Sequence, residues 1–296
     1  MSDLQHLLER AEVLLARIEN HFPAPPLLPD WQNVNVSTFR WRKRNYRQGE
    51  FQAIYHPHRI RLQDLQGIEE QKQQIDRNTR QFLQKKPANN VLLWGSRGTG
   101  KSSLIKALLN EYSNQGLRLI EVEKHDLIDL PDIVEAFYDS SKRFIIFCDD
   151  LSFEKDDASY KALKSVLDGS ISAPPDNVLI YATSNRRHLL PEYQHENEEA
   201  QMIDGEIHQG EAVDEKISLS ERFGLWLSFY PFKQDEYLTI VRYWLQNLGI
   251  KNIAGEDIRR AALQWALKRG SRSGRSAWQF AQDWAGQNKS NDTDCL

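Results

Sequence analysis

The chain has 296 residues, 40% of them apolar and 27% charged, with a formal net charge of −4. This is the composition of a globular chain holding one large domain, or a core with a small satellite, and it excludes disordered and fibrous polymers. A mildly acidic chain has no bulk attraction to nucleic acid or anionic membrane, so contact with either needs a local patch.

The start, Met1-Ser2-Asp3-Leu4-Gln5-His6, lacks the basic-then-apolar order of a leader. No apolar run approaches the roughly 20 residues that span a bilayer. Cys148 ends an apolar run and Cys295 lies in a polar tail, so no disulfide framework is implied. The expectation is a cytoplasmic chain with no membrane contact.

Residues 1–22 form a first segment. Over 3–20, Leu4, Leu8, Ala11, Leu15 and Ile18 alternate spacings of four and three, and Leu7 and Leu14 widen the stripe. This predicts an amphipathic helix. Packing on the chain's own core is the preferred reading, and an oligomer or partner helix is the alternative.

Residues 23–61 form a second segment. Pro23, Pro25, Pro26 and Pro29 make a stiff linker. Then Arg40, Arg42, Lys43, Arg44, Arg47, Arg59 and Arg61 interleave with Trp31, Phe39, Trp41, Tyr46, Phe51 and Tyr55. Such a segment could track phosphates and stack bases. It could equally wrap a core, burying Trp31, Trp41 and Phe51 while its cations pair with acids such as those of 191–215. The negative overall charge favours the second reading.

From 62 to 230 helical patterns alternate with the apolar runs Val91–Trp94, Leu117–Val122, Phe144–Cys148, Val178–Ala182 and Leu225–Tyr230. The alternation predicts a parallel five-stranded sheet with helices on both faces. The acidic stretch 191–215 reads as a solvated loop, because His195 and His208 have no metal-ligand spacing. Residues 231–286 turn all-helical, over about 233–248, 256–268 and 275–285. Residues 287–296 read as a frayed tail.

The chemistry concentrates in two places. Gly95-Ser96-Arg97-Gly98-Thr99-Gly100-Lys101-Ser102 matches the phosphate-binding P-loop, fed by an apolar strand and followed by an apolar-periodic helix. Glycines let backbone N–H groups turn inward toward phosphate oxygens, and the helix N-terminus adds positive potential. Lys101 would reach the β- and γ-phosphates of ATP, Ser102 would ligate Mg²⁺, and Ser103 extends the phosphate-binding run. The second place is Asp149-Asp150, two acids at the end of an apolar strand. There Asp149 is the expected Mg²⁺ carboxylate and Asp150 the group that polarises the attacking water.

With these motifs the chain resembles the AAA+ ATPases, and more closely an uncharacterised family of bacterial AAA+ ATP-binding proteins. The stretches Val91-Leu92-Leu93-Trp94-Gly95, Ala162-Leu163-Lys164-Ser165-Val166-Leu167, Tyr181-Ala182-Thr183-Ser184-Asn185-Arg186-Arg187 and Ser220-Glu221-Arg222-Phe223-Gly224 carry the resemblance, over roughly 38–285. It implies a P-loop core with a small helical lid. It also implies a polar sensor at Asn185 and an arginine finger at Arg222, supplied to a neighbouring subunit of a homo-oligomer. Arg275 would be a second sensor arginine, with Arg272 its rival. The segment containing Leu65 and Gly67 would pack against adenine. One departure is Asp149-Asp150, where many relatives carry Asp-Glu, which leaves the speed of turnover open. No aromatic–apolar–Gly pore loop falls between Val122 and Phe144, which counts against a protein-threading machine. The implied activity is Mg-dependent ATP hydrolysis that remodels a protein or nucleic-acid partner. The alternatives are a slow, loader-like switch binding nucleic acid through 31–61, and a scaffold with little hydrolysis.

Overall fold

A computed structural model describes residues 2–21, 28–44, 48–153, 157–169, 175–187, 189, 201–203, 206–208, 219–251, 253 and 255–289. Ser2–His21 is the expected amphipathic helix (α1). The side chains described on it, residues 4–17, are all exposed. The preference for a core-packed helix is therefore corrected: the leucine stripe faces outward.

Among the described residues the sheet has seven strands, not five. Thr38–Arg44 (β1) and Gln48–Ala53 (β2) pair antiparallel, with Trp41 opposite Phe51. β1 then joins Leu117–Glu121 (β4) in parallel, Phe39 beside Ile120. The other strands are Val91–Gly95 (β3), Arg143–Cys148 (β5), Val178–Ser184 (β6) and Leu225–Phe229 (β9), all parallel to their neighbours. The order is β2-β1-β4-β5-β6-β3-β9. Gln201–Ile203 (β7) and Glu206–His208 (β8) form a separate ribbon inside the acidic stretch, most of which lies outside the described residues.

β1 is hidden by its charge, and β2 by having Phe51 as its one large apolar residue. Thr38–Arg44 alternates with a period of two, so Phe39 and Trp41 point inward and are buried while Arg42 is exposed. Trp31 packs edge-on against Phe39, Phe51, Phe137 and Phe144, with centroids 5.0–5.4 Å away. The cations find partners along the sheet: Arg40 bonds Glu121 at 2.6 Å and Lys43 bonds Asp129 at 2.9 Å. The segment thus wraps the core, with Trp31 and Trp41 buried and Phe51 half-buried. The three ion pairs described for its cations lead to Glu121, Asp129 and, from Arg61, to Asp64, not to the acidic stretch.

Buried Arg118 fixes the same segment from below. Its guanidinium donates to the carbonyls of Trp31, Asn33, Ser113 and Leu117 at 3.0–3.2 Å. Burial lowers its pKa from the usual arginine range, partly opposed by Asp30.

Both faces of the sheet are covered, as its alternation requires. Leu93, Ile145, Phe147 and Tyr181 belong to one cluster with Glu69–Leu83 (α2), Lys101–Tyr112 (α3) and the C-terminal helices. Leu92, Phe144, Ile146 and Ile180 belong to the other, with Leu130–Glu135 (α4) and Ala158–Asp168 (α5). The C-terminal helices are Gln234–Asn247 (α6), Glu256–Arg269 (α7) and Gly274–Lys289 (α8). Among the described residues no helix is long and apolar enough to cross a membrane.

The hairpin offers a test. A Cβ on Gly49 would lie 1.8 Å from Cζ2 of Trp41. Gly49→Ala must therefore push the indole off its seat. Urea unfolding should show a loss of about 1–3 kcal/mol, and unchanged stability would mean that Trp41 is not seated there.

Candidate functional site

The strand order decides what meets at the carboxyl edge of the sheet. β6 lies between β3 and β5. The loop after Gly95, the pair Asp149-Asp150 and Asn185 therefore emerge side by side from three neighbouring strands.

The loop is held by its glycines. Gly95 has φ +124°, and a Cβ there would lie 2.0 Å from the Phe229 carbonyl oxygen. Ser96 N donates to that oxygen at 2.9 Å. Gly98 and Gly100 also take positive φ, +74° and +106°, and Gly100 caps α3. Thr99 Oγ1 closes the loop on the Ser96 carbonyl at 2.7 Å. At the start of α3 the N–H groups of Lys101, Ser102 and Ser103 have no partner within the helix, which makes this end a ready anion site.

Lys101 is buried. Its Nζ donates to the carbonyls of Gly95 at 2.7 Å and Ser96 at 2.8 Å, and to Asn185 Oδ1 at 3.3 Å. Burial lowers its pKa, while Asp150 and Asp149 pull it up. Asp149 accepts from Ser102 Oγ at 2.6 Å and from Thr183 Oγ1 at 2.5 Å. Thr183 Oγ1 in turn accepts from Asp150 N at 2.9 Å. Asp150 has φ +52° and accepts a hydrogen bond from Asn185 Nδ2. Behind them, fully buried Cys148 has its thiol pushed up to about 12 by burial and by Asp149.

These groups line one end of a cleft of about 880 Å³, with Arg97, Ser103 and Arg275 on its walls. Apolar side chains line it too, Ile60, Leu65, Ile68, Phe232, Ile240, Trp244 and Trp278, together with the polar His58, Arg59, Asp64, Gln66 and Lys106. Trp244 and Trp278 stand edge to face, 4.6 Å between centroids. The donor set fits its expected guests. A hydroxyl and a carboxylate at hydrogen-bond distance are hard oxygen ligands suited to Mg²⁺. A glycine-rich loop leading into a helix N-terminus suits phosphate, and the apolar and aromatic part of the lining suits a base.

Not every expected residue faces the cleft. Gly95 and Ser96 act through carbonyls that hold Lys101. Gly67, at φ +77°, backs onto Phe232, where a Cβ would come within 3.1 Å. Arg275 lines the cleft and donates its N–H to the Gly98 carbonyl at 3.2 Å. Arg272 does not line it; its carbonyl accepts from Phe232 N at 3.2 Å. Arg222 lies outside its own chain's cleft, in an ion pair with Asp168.

Sequence reasoning missed Thr183 and the tryptophan wall. The signal for Thr183 was weak: it is one of several small or polar side chains ending a buried strand. Trp244 and Trp278 sit within amphipathic helices, where an aromatic reads as core.

Residues 34–288 match the model of a family described as a protein of unknown function, DUF815. The chain belongs to the DUF815 family. This agrees with the resemblance to an uncharacterised AAA+ family. No curated protein matches the DUF815 chain in sequence. Among solved structures, the Thermotoga maritima RuvB Holliday junction branch migration motor superposes with a TM-score of 0.50 at 17% identity. The match covers 75% of the DUF815 chain and 63% of that one. A second RuvB structure from the same organism, of a point variant, gives 0.51 at 16%, with the same coverage. The DUF815 chain therefore spans less than two thirds of the length of these relatives, and what it shares with them is the AAA+ fold.

Thr183 can be tested without any ligand. Thr183→Val keeps the shape but removes a donor to Asp149 and an acceptor for Asp150 N. The loss should be about 1–3 kcal/mol in denaturant unfolding. A neutral effect would mean that Asp149 and Asp150 are not held through this hydroxyl.

Proposed function

We propose that this protein binds Mg-ATP in the cleft and hydrolyses it as an oligomeric AAA+ ATPase that remodels a protein or nucleic-acid partner. The observation that carries the reading is the convergence of Lys101, Ser102, Asp149, Asp150 and Asn185 at one end of a single cleft. The fold shared with RuvB supports it.

The roles follow from the chemistry of each group. The N–H groups from Gly98 to Ser103 bind phosphate oxygens. Lys101 leaves the carbonyls of Gly95 and Ser96 and turns to the β- and γ-phosphates, an exchange favoured because phosphate restores the full worth of a buried ammonium charge. Ser102 Oγ and Asp149 would hold Mg²⁺, which when bound offsets phosphate charge. Asp150 orients the attacking water and accepts its proton, and Asn185 fixes the water's position. Arg275 adds a planar fork of donors on the far wall. Leu65 and the tryptophan wall enclose the base. Helices α6–α8 then serve as the lid, since Ile240, Trp244, Arg275 and Trp278 all come from them. The domain reading places the ATP-binding core at 62–230 and the lid at 231–286, with β1 and β2 extending the core's sheet from the N-terminal side.

Arg222 supports the oligomer. Arg222 lies outside its own chain's cleft, and in this reading it exchanges Asp168 and its other partners for a neighbour's γ-phosphate.

A slow switch is the second reading. Asn185 bridges Lys101 and Asp150, so both catalytic groups are engaged with the protein until phosphate arrives. A loader that grips nucleic acid through 31–61 is disfavoured by the ion pairs of Arg40, Lys43 and Arg61 and by the buried aromatics of that segment.

Two experiments test the site. Trp244 and Trp278 line the cleft, so ATP should change the intrinsic fluorescence, and Lys101→Ala should abolish that change and the heat of binding in calorimetry. Asp150→Asn should bind ATP within about threefold of the native chain and lose turnover by about 100-fold or more. No affinity for ATP or ADP in pure, monodisperse protein would falsify the reading. The trans role of Arg222 predicts complementation: inactive Arg222→Ala and Lys101→Ala chains, once mixed, should recover part of the ATPase rate. Full activity in a proven monomer would refute it.

A further inference from the structure

Helix α1 presents an apolar face that no part of the described chain covers. Leu4, Leu7, Leu8, Leu14 and Leu15 are 69%, 66%, 59%, 56% and 57% exposed. In proteins most helical stability comes from packing an amphipathic face rather than from propensity. We propose that α1 docks in parallel against the α1 of a second copy of this chain. The inference does not rest on the nucleotide site.

The spacing selects a helix as occupant. Leu4, Leu8, Ala11, Leu15 and, by its place in the sequence, Ile18 recur at spacings of four, three, four and three residues, an average period of 3.5, with Leu7 and Leu14 beside them. That period keeps a seam facing a partner helix through a left-handed supercoil. A copy of α1 carries the same seam.

The charges select the orientation. At 100° per residue, Arg10 and Arg17 fall along one flank of the seam. Gln5, Glu12 and, by its place in the sequence, Glu19 fall along the other. Asp3 is the one acid on the basic flank. In a parallel pair opposite flanks meet, so Arg10 and Arg17 of one copy face the acidic flank of the next. In an antiparallel pair like flanks meet, setting arginine against arginine. Parallel helices are also what a rotation axis along the helix generates, so the contact fits a closed cyclic assembly.

The same charges argue against a bilayer. Helices that lie on anionic membranes carry a polar face rich in Lys and Arg. Here Glu9 and Glu12 balance Arg10 and Arg17 among the described side chains.

Sedimentation of the full-length chain without nucleotide, in the Lys101→Ala background, reads this contact apart from any ATP-driven assembly. Reversible, concentration-dependent association is expected. Leu7→Lys with Leu14→Lys should weaken it by about 100-fold or more and, at concentrations where the parent is dissociated, leave the unfolding midpoint unchanged, because both side chains are exposed. Arg10→Glu with Arg17→Glu should weaken it, as should Glu12→Arg with Glu19→Arg. An equimolar mixture of these two charge variants should associate as tightly as the parent. A parent chain that stays monomeric to about 100 μM would overturn the proposal. So would a charge-variant mixture no tighter than its components. So would a monomer that binds phosphatidylcholine–phosphatidylglycerol vesicles through α1.

Discussion

Strand β3 is hydrogen-bonded on both edges, to β6 on one side and β9 on the other, and it ends where Ser96 N meets the Phe229 carbonyl. That junction fixes the exit angle of the glycine loop, because Gly95 sits too close to Phe229 for any side chain. The loop in turn fixes where α3 begins, and so where Lys101 and Ser102 stand. β6 performs the matching task on the other side. By lying between β3 and β5 it sets Thr183 against Asp149 and Asn185 against Lys101. A one-residue slip of β6 would turn Thr183 to the opposite face and remove both contacts.

The site stores its charge in a self-consistent network. Five polar side chains, Lys101, Ser102, Asp149, Asp150 and Asn185, are joined through direct hydrogen bonds and through Thr183. Inside a protein such networks are worth most when complete, since an unpartnered buried charge is costly. Lys101 illustrates the point: burial disfavours its charge, and two carbonyls with two nearby carboxylates keep it satisfied. An incoming polyanion would replace those partners instead of creating a charge site from nothing.

The parallel core, the loop and the acid pair were legible because each combines a residue pattern with an element order. A glycine-rich loop between an apolar strand and an apolar-periodic helix has few other readings. What escaped did so for physical reasons. β1 hides its period-two burial behind cations, of which Arg40 reaches Glu121 and leaves the aromatic face free to sink inward, while β2 offers Phe51 as its one large apolar side chain. Thr183 is one hydroxyl among several at a strand end, and only the neighbouring strand reveals its partner. The outward stripe of α1 cannot be told from an inward one by spacing, since both need the same leucines.

The pairing of β1 with β4 has a consequence for biosynthesis. Thr38 lies beside Leu119, a residue that leaves the ribosome long afterwards. At roughly 5–20 residues per second, the hairpin must wait several seconds for its neighbour. During that wait Trp31, Phe39, Trp41 and Phe51 have no sheet to cover them, and Arg118, which clamps their segment, has not been made. The nascent chain therefore carries a sticky aromatic ribbon whose arginines await their later partner Glu121. That cationic rim doubles as a solubilising gatekeeper until the core closes over the rings.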